Sequence, residues 1–206
     1  VPELNGVIVS AHDSIAEIYS ATTLVSYRVR VHGDVSAQIP IEIAKLVGYG
    51  SVRASKTAVT VKHNSLHDCF IWQPVSTMLS KFPLDKLSSL MDMKGQKFGT
   101  IEANGLATAA SRLVFYLSSV DKRLWELQII PREERVALRV VFPGVDFIEE
   151  VPGHIEEPLI LPLLEFAEAA LLVQKDVRLD DIGAVRMTSG NQQWIFARVA
   201  RTSERS

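Results

Sequence analysis

Hydrophobic and polar positions alternate most clearly between Thr23 and His32. Val25, Tyr27, Val29 and Val31 are interleaved with Ser26, Arg28, Arg30 and His32. A period of two predicts a half-buried strand. Gly6 to Ser10 is a short apolar run that predicts an edge strand, while His12 to Ala21 fits neither period cleanly. Gly33-Asp34 turns the chain, and Pro40 opens a predicted short helix, Ile41 to Val47, that Gly48 ends. Alternation returns over Thr57 to Lys62, and Leu66 to Trp72 reads as a further strand. Val75 to Met91, interrupted by Pro83, predicts one or two short helices. Lys97 to Glu102 predicts a strand and Ala107 to Val120 a helix.

The last third has firmer periodicity. Val136, Leu138, Val140 and Phe142 share one face of a predicted strand, Arg135 to Phe142, which Pro143-Gly144 breaks. Val145 to Glu157, with Pro152-Gly153 inside it, reads as a loop. Leu159 to Gln174 predicts a helix, because Leu163, Phe166, Ala170 and Val173 recur at helical spacing. Ile182 to Thr188 and Gln193 to Val199 form a predicted hairpin across Ser189-Gly190-Asn191. Strands and helices do not alternate regularly. The pattern therefore predicts an α+β fold, with helices packed on one face of a mostly antiparallel sheet and a C-terminal β-hairpin. Residues 1–22 are expected to form an N-terminal arm or edge segment and residues 23–206 a single globular domain.

Composition narrows the function classes. The chain has 206 residues, with 22 Lys+Arg against 24 Asp+Glu and a net charge of −2. A uniformly basic nucleic-acid coat is excluded. One cysteine excludes an internal disulfide framework and a multi-cysteine metal site. Pro158 to Val173 is the longest apolar run, but it is interrupted by Pro162, Glu165 and Glu168 and is shorter than the ~20 residues of a membrane span. The chain opens on Val1 without an initiator Met, so a preceding segment is expected. Between Arg139 and Lys175 there is no Lys or Arg, which marks an acidic surface.

Candidate chemistry is sparse. His67-Asp68-Cys69 gathers a base, an acid and a thiol, but neighbours on a strand point to opposite faces, so a buried structural Cys69 is the better reading. The histidines show no metal-binding spacing, and no phosphate-binding glycine loop or nucleophile elbow is present. The expectation is no enzyme, no cofactor and no metal. Asp92 to Thr100, containing Met93-Lys94-Gly95-Gln96-Lys97, resembles a segment of periplasmic substrate-binding proteins, without their repeated βαβ pattern. Arg28 and Arg30 share a strand face, and Lys62, Arg139, Arg186 and Arg198 fall at outward positions of other predicted strands. Together they would make a basic stripe across a sheet, attractive to phosphates of lipid or nucleic acid.

A resemblance supplies a function to match. Ile182-Gly183-Ala184-Val185, then Ser189-Gly190, then Trp194-Ile195-Phe196 and Val199 are similar to the C-terminal hairpin of rhabdovirus matrix proteins. The order of the earlier elements resembles that family too. The resemblance implies a viral structural protein that self-associates, binds the anionic inner membrane surface and condenses the nucleocapsid through the viral nucleoprotein. Direct sequence-specific nucleic-acid binding is not implied. The location would be the virion, at the inner face of the envelope, and the host cytoplasm. The stripe Arg28, Arg30, Lys62, Arg139, Arg186 and Arg198 would then meet membrane or nucleocapsid. A shell-forming coat subunit and a small-molecule-binding or regulatory domain are the alternatives.

Overall fold

A computed structural model describes residues 6–33, 36–40, 51–54, 58–63, 66–71, 82–116, 126–142 and 144–198. The chain groups into two compact units, Val1–Leu90 and Met91–Ser206.

In the first unit, β1 (Gly6–His12), β2 (Ile15–Ala21) and β3 (Val25–His32) form an antiparallel meander, and β4 (Ala37–Pro40) pairs with the free side of β1. Gly6 to Ser10 is therefore flanked on both sides and is not an edge. The ambiguous stretch from His12 resolves into a tight hairpin. Asp13 and Ser14 both take positive φ, 51° and 64°, the backbone twist that joins two right-twisted strands with two residues. Neither residue is glycine, which is why the turn was not legible. A separate three-stranded antiparallel sheet contains β5 (Ser51–Ala54), β6 (Ala58–His63) and β7 (Leu66–Ile71). The short helix expected over Ile41 to Val47 lies outside the described residues. Helix α1 (Leu84–Asp92) begins directly after Pro83, carries Asp85 in its first turn and turns Leu87 and Met91 inward.

The second unit is built on an antiparallel ladder in the order β12-β9-β10-β11-β8-β13-β14-β15. Its strands are β8 (Gln96–Ile101), β9 (Glu126–Pro131), β10 (Arg135–Phe142), β11 (Val145–Ile155), β12 (Leu159–Pro162), β13 (Val177–Asp181), β14 (Val185–Ser189) and β15 (Gln192–Phe196). Helices α2 (Leu106–Tyr116) and α3 (Leu163–Leu172) pack on one face. Tyr116 stacks on Phe147 of β11 at 5.0 Å between ring centroids, and Phe166 of α3 meets Phe196 of β15 at 6.2 Å. Leu127, Ile129, Leu138, Val140, Leu113, Phe166, Leu179, Met187 and Phe196 fill the layer between. Burial of this apolar area is the main favourable term in folding.

Two expectations about this unit are corrected. Val145 to Glu157 is not a loop: β11 pairs with β10 from Val145 to Pro152, then changes partner and pairs with β8 from Gly153. Gly153 makes the change possible. Its φ is +153°, and a Cβ there would lie 2.6 Å from the Thr100 carbonyl oxygen. The helix predicted from Leu159 starts only at Leu163, because Leu159–Pro162 pairs with β9. Proline at position 162 disfavours helical backbone at Leu161 and lacks the N–H that a helix interior needs.

Candidate functional site

The residues expected to form the basic stripe do not share one environment. On β3, Arg28 is 1% exposed and stands opposite Tyr19 of β2, whereas Arg30 reaches the surface opposite Glu17. Period-two geometry puts all four side chains on one face. Arg30 Nε donates to Glu17 Oε1 at 2.6 Å, Arg28 Nη1 lies 3.5 Å from the same oxygen, and the Tyr19 hydroxyl donates to Glu17 Oε2. Burial pushes the Glu17 carboxyl up, but hydrogen bonds from Tyr19 and Arg30 and the charges of Arg28 and Arg30 outweigh it, so its pKa falls below the usual carboxylate value. Burial first, and then the Glu17 carboxylate, raise the Tyr19 phenol.

In the second unit Arg186 is not outward-looking. It is 8% exposed and bonds Asp180, itself 2% exposed, through Nη2 at 3.1 Å. Its Nη1 donates to the carbonyls of Met91 and Met93 at 3.0 and 2.6 Å, at the C-terminal end of α1, where free carbonyls need donors. Arg178 Nε donates to the other Asp180 oxygen at 2.7 Å. Arg139 makes a bidentate pair with Asp146, which holds the Asp146 carboxyl below its ordinary value. Arg198 bonds Asp181 at 2.6 Å. The structure thus brings Arg28 and Arg30 together over Glu17 and assigns Arg139, Arg186 and Arg198 separate carboxylates. The Lys62 side chain lies outside the described residues, as do those of His67, Asp68 and Cys69. Among the described residues no group of His, Cys, Asp and Glu could hold a metal ion, and no helix is long and apolar enough to cross a membrane.

The sequence matches no protein-family model and no curated protein. Solved structures do match. A DNA polymerase III β subunit from Thermotoga maritima aligns over 97% of this chain with a TM-score of 0.68 and 11% identity. A putative β subunit from Eubacterium rectale reaches 0.71 over 97%, also at 11% identity. A DNA polymerase sliding clamp from Pseudomonas aeruginosa reaches 0.69 over 96%, at 10% identity. This is the sliding-clamp fold.

The chain spans 58% of the length of each of those three proteins. The likeness overturns the matrix-protein resemblance, and with it the envelope location and the membrane and nucleoprotein partners. The coat-subunit and small-molecule readings also find no support. The C-terminal hairpin that suggested the matrix resemblance is an ordinary pairing of β14 with β15 inside a longer ladder. The sliding-clamp fold here also carries groups that sequence reading missed. Glu17, Tyr19 and Asp180 neutralise or anchor arginines. The signal for Glu17 and Tyr19 was their i, i+2 spacing on a strand adjoining Arg28 and Arg30.

Proposed function

We propose that this chain is a sliding clamp, or the greater part of one: a non-enzymatic protein that holds a DNA polymerase to duplex DNA. The fold carries this reading, through alignment of nearly the whole chain to clamps at TM-scores near 0.7. The surface chemistry supports it. A protein that slides needs sequence-independent contact that never locks. Bidentate arginine–phosphate pairs would pin it, since guanidinium forks fix geometry as well as charge. In this chain Arg28, Arg30, Arg112, Arg135, Arg139, Arg178, Arg186 and Arg198 all lie against carboxylates of the protein itself.

Retention on DNA of defined topology tests the proposal. The full chain is assembled on nicked circular duplex with its replication partners and passed through a gel-filtration column at high salt. The expected result is co-elution with circular DNA and loss after the circle is cut once. Equal retention on cut and uncut DNA, or none on either, refutes the clamp reading.

A further inference from the structure

The Asp92 to Thr100 segment found a place in the fold but no role. Lys94 and Lys97 lie within it, Lys94 in the turn after α1 and Lys97 at the second position of β8, and both are exposed. Neither makes an ion pair among the described residues. This sets them apart from the eight arginines named above, each of which lies against a carboxylate. The carboxylates nearest Lys97 in the ladder are already engaged. Its register partner Asp180 is held by Arg178 and Arg186, and Asp181, opposite Gln96, is held by Arg198 and by the Gly183 N–H. Asp92 has a contact of its own. Lys86, which follows Asp85 in the first turn of α1, Lys175 and Arg132 also lack a carboxylate partner among the described residues. Each stands alone, however: Lys175 lays its stem against Gly190, and Arg132 precedes Glu133 and Glu134.

The two lysines also stand on a rigid base. Arg186 holds the Met91 and Met93 carbonyls from below. Between the lysines, Gly95 runs so close to this base that a Cβ would lie 2.9 Å from both Asp180 Cβ and Ile182 Cγ2. A preordered backbone loses little entropy when its side chains are engaged. The ammonium groups, on flexible four-carbon stems, remain strongly hydrated point charges that can pass from one phosphate to the next.

We propose that the turn after α1 and the start of β8 contact the DNA backbone, with Lys94 and Lys97 neutralising duplex phosphates as the protein moves. This rests on the clamp reading and names the surface by which the clamp meets its track.

The experiment is fluorescence anisotropy of a short labelled duplex with the full chain across a salt series. Each phosphate contact contributes about 0.9 to the slope of log affinity against log salt concentration. Lys94→Gln/Lys97→Gln is therefore expected to lower the magnitude of that slope by about 2. Lys175→Gln/Arg132→Gln is expected to leave the slope unchanged. Circular dichroism shows whether each variant is folded, and Lys94→Arg/Lys97→Arg, which keeps both charges, should restore most of the slope. A wild-type slope that the Lys94/Lys97 pair leaves intact overturns this proposal alone. Equal losses from the two double variants overturn it too, by reducing the effect to general charge. Absence of topology-dependent retention is the separate result that removes the clamp reading.

Discussion

Arg186 offers the sharpest test of how the second unit is held together. Replacing it with Met keeps much of the side-chain volume and removes the charge. Asp180, 2% exposed, would then keep only Arg178, whose side chain is about half exposed. The Met91 and Met93 carbonyls would both lose their Arg186 donor. Removing one partner of a buried ion pair costs about 3–5 kcal/mol, because the remaining charge is left with too few partners. Carbonyls left unsatisfied add to this, at about 1–3 kcal/mol for each that water cannot reach. Retention of Arg178 works the other way, so Arg186→Met is expected to cost about 3–5 kcal/mol overall. For a chain of this size that is a fall of roughly 6–20 °C in melting temperature. Differential scanning calorimetry of wild type, Arg186→Met, Asp180→Asn and the double variant completes a cycle. The coupling energy should exceed about 1 kcal/mol, with the double variant more stable than the sum of the single losses implies. A loss below about 1 kcal/mol for Arg186→Met, or simple additivity, would refute the claim that this pair and its carbonyl contacts hold the turn after α1.

Other consequences follow from the same geometry. Gly153→Ala forces a Cβ against the Thr100 carbonyl and the Ile101 Cα, both backbone atoms, and should cost about 2–4 kcal/mol in urea unfolding. Gly183→Ala, at φ +83° with nothing within 4 Å, should cost only about 1–2 kcal/mol. Glu17 has a folded-state pKa below its unfolded value. Its contribution is therefore complete above the unfolded carboxylate pKa and is lost as pH falls through the lower folded value. Urea midpoints between neutral pH and the acid range should accordingly fall less in Glu17→Gln than in wild type, and an identical acid limb would count against the Glu17–Arg30 pair. Phe115, 73% exposed on α2, should tolerate Phe115→Ser with a change within about 0.5 kcal/mol by the same urea assay.

Local pattern was enough for much of the architecture. Val25 to Val31 alternates with polar residues and does form β3, although burial along the strand does not keep that period: Arg28 is buried and Val31 is exposed. Arg135 to Phe142, the core of α3 and the final hairpin were legible for the same reason: each carries its own periodicity and its own turn residues. Residues that depend on a distant partner were not. Pro152-Gly153 looks like a loop until β8 is known to run beside it, and its glycine is then a requirement of close backbone approach. The strand Leu159–Pro162 exists because β9 is there to accept it, and β9 alternates only over the four residues Glu126 to Ile129.

The arginines make the same point for function. From the sequence alone, Arg28 and Arg186 sit on polar positions of strands and read as outward charges. Parity along a strand specifies which side of a sheet a residue occupies, but not what covers that side. Tyr19 and Glu17 surround one of these arginines, and Asp180 with two main-chain carbonyls surrounds the other. Composition and periodicity by themselves determined that this is an α+β protein with no announced reaction chemistry. Only the tertiary structure decided which charges are paired inside the molecule and which stay exposed, because an ion pair across strands depends on register, and register is set by pairing between segments far apart in the chain.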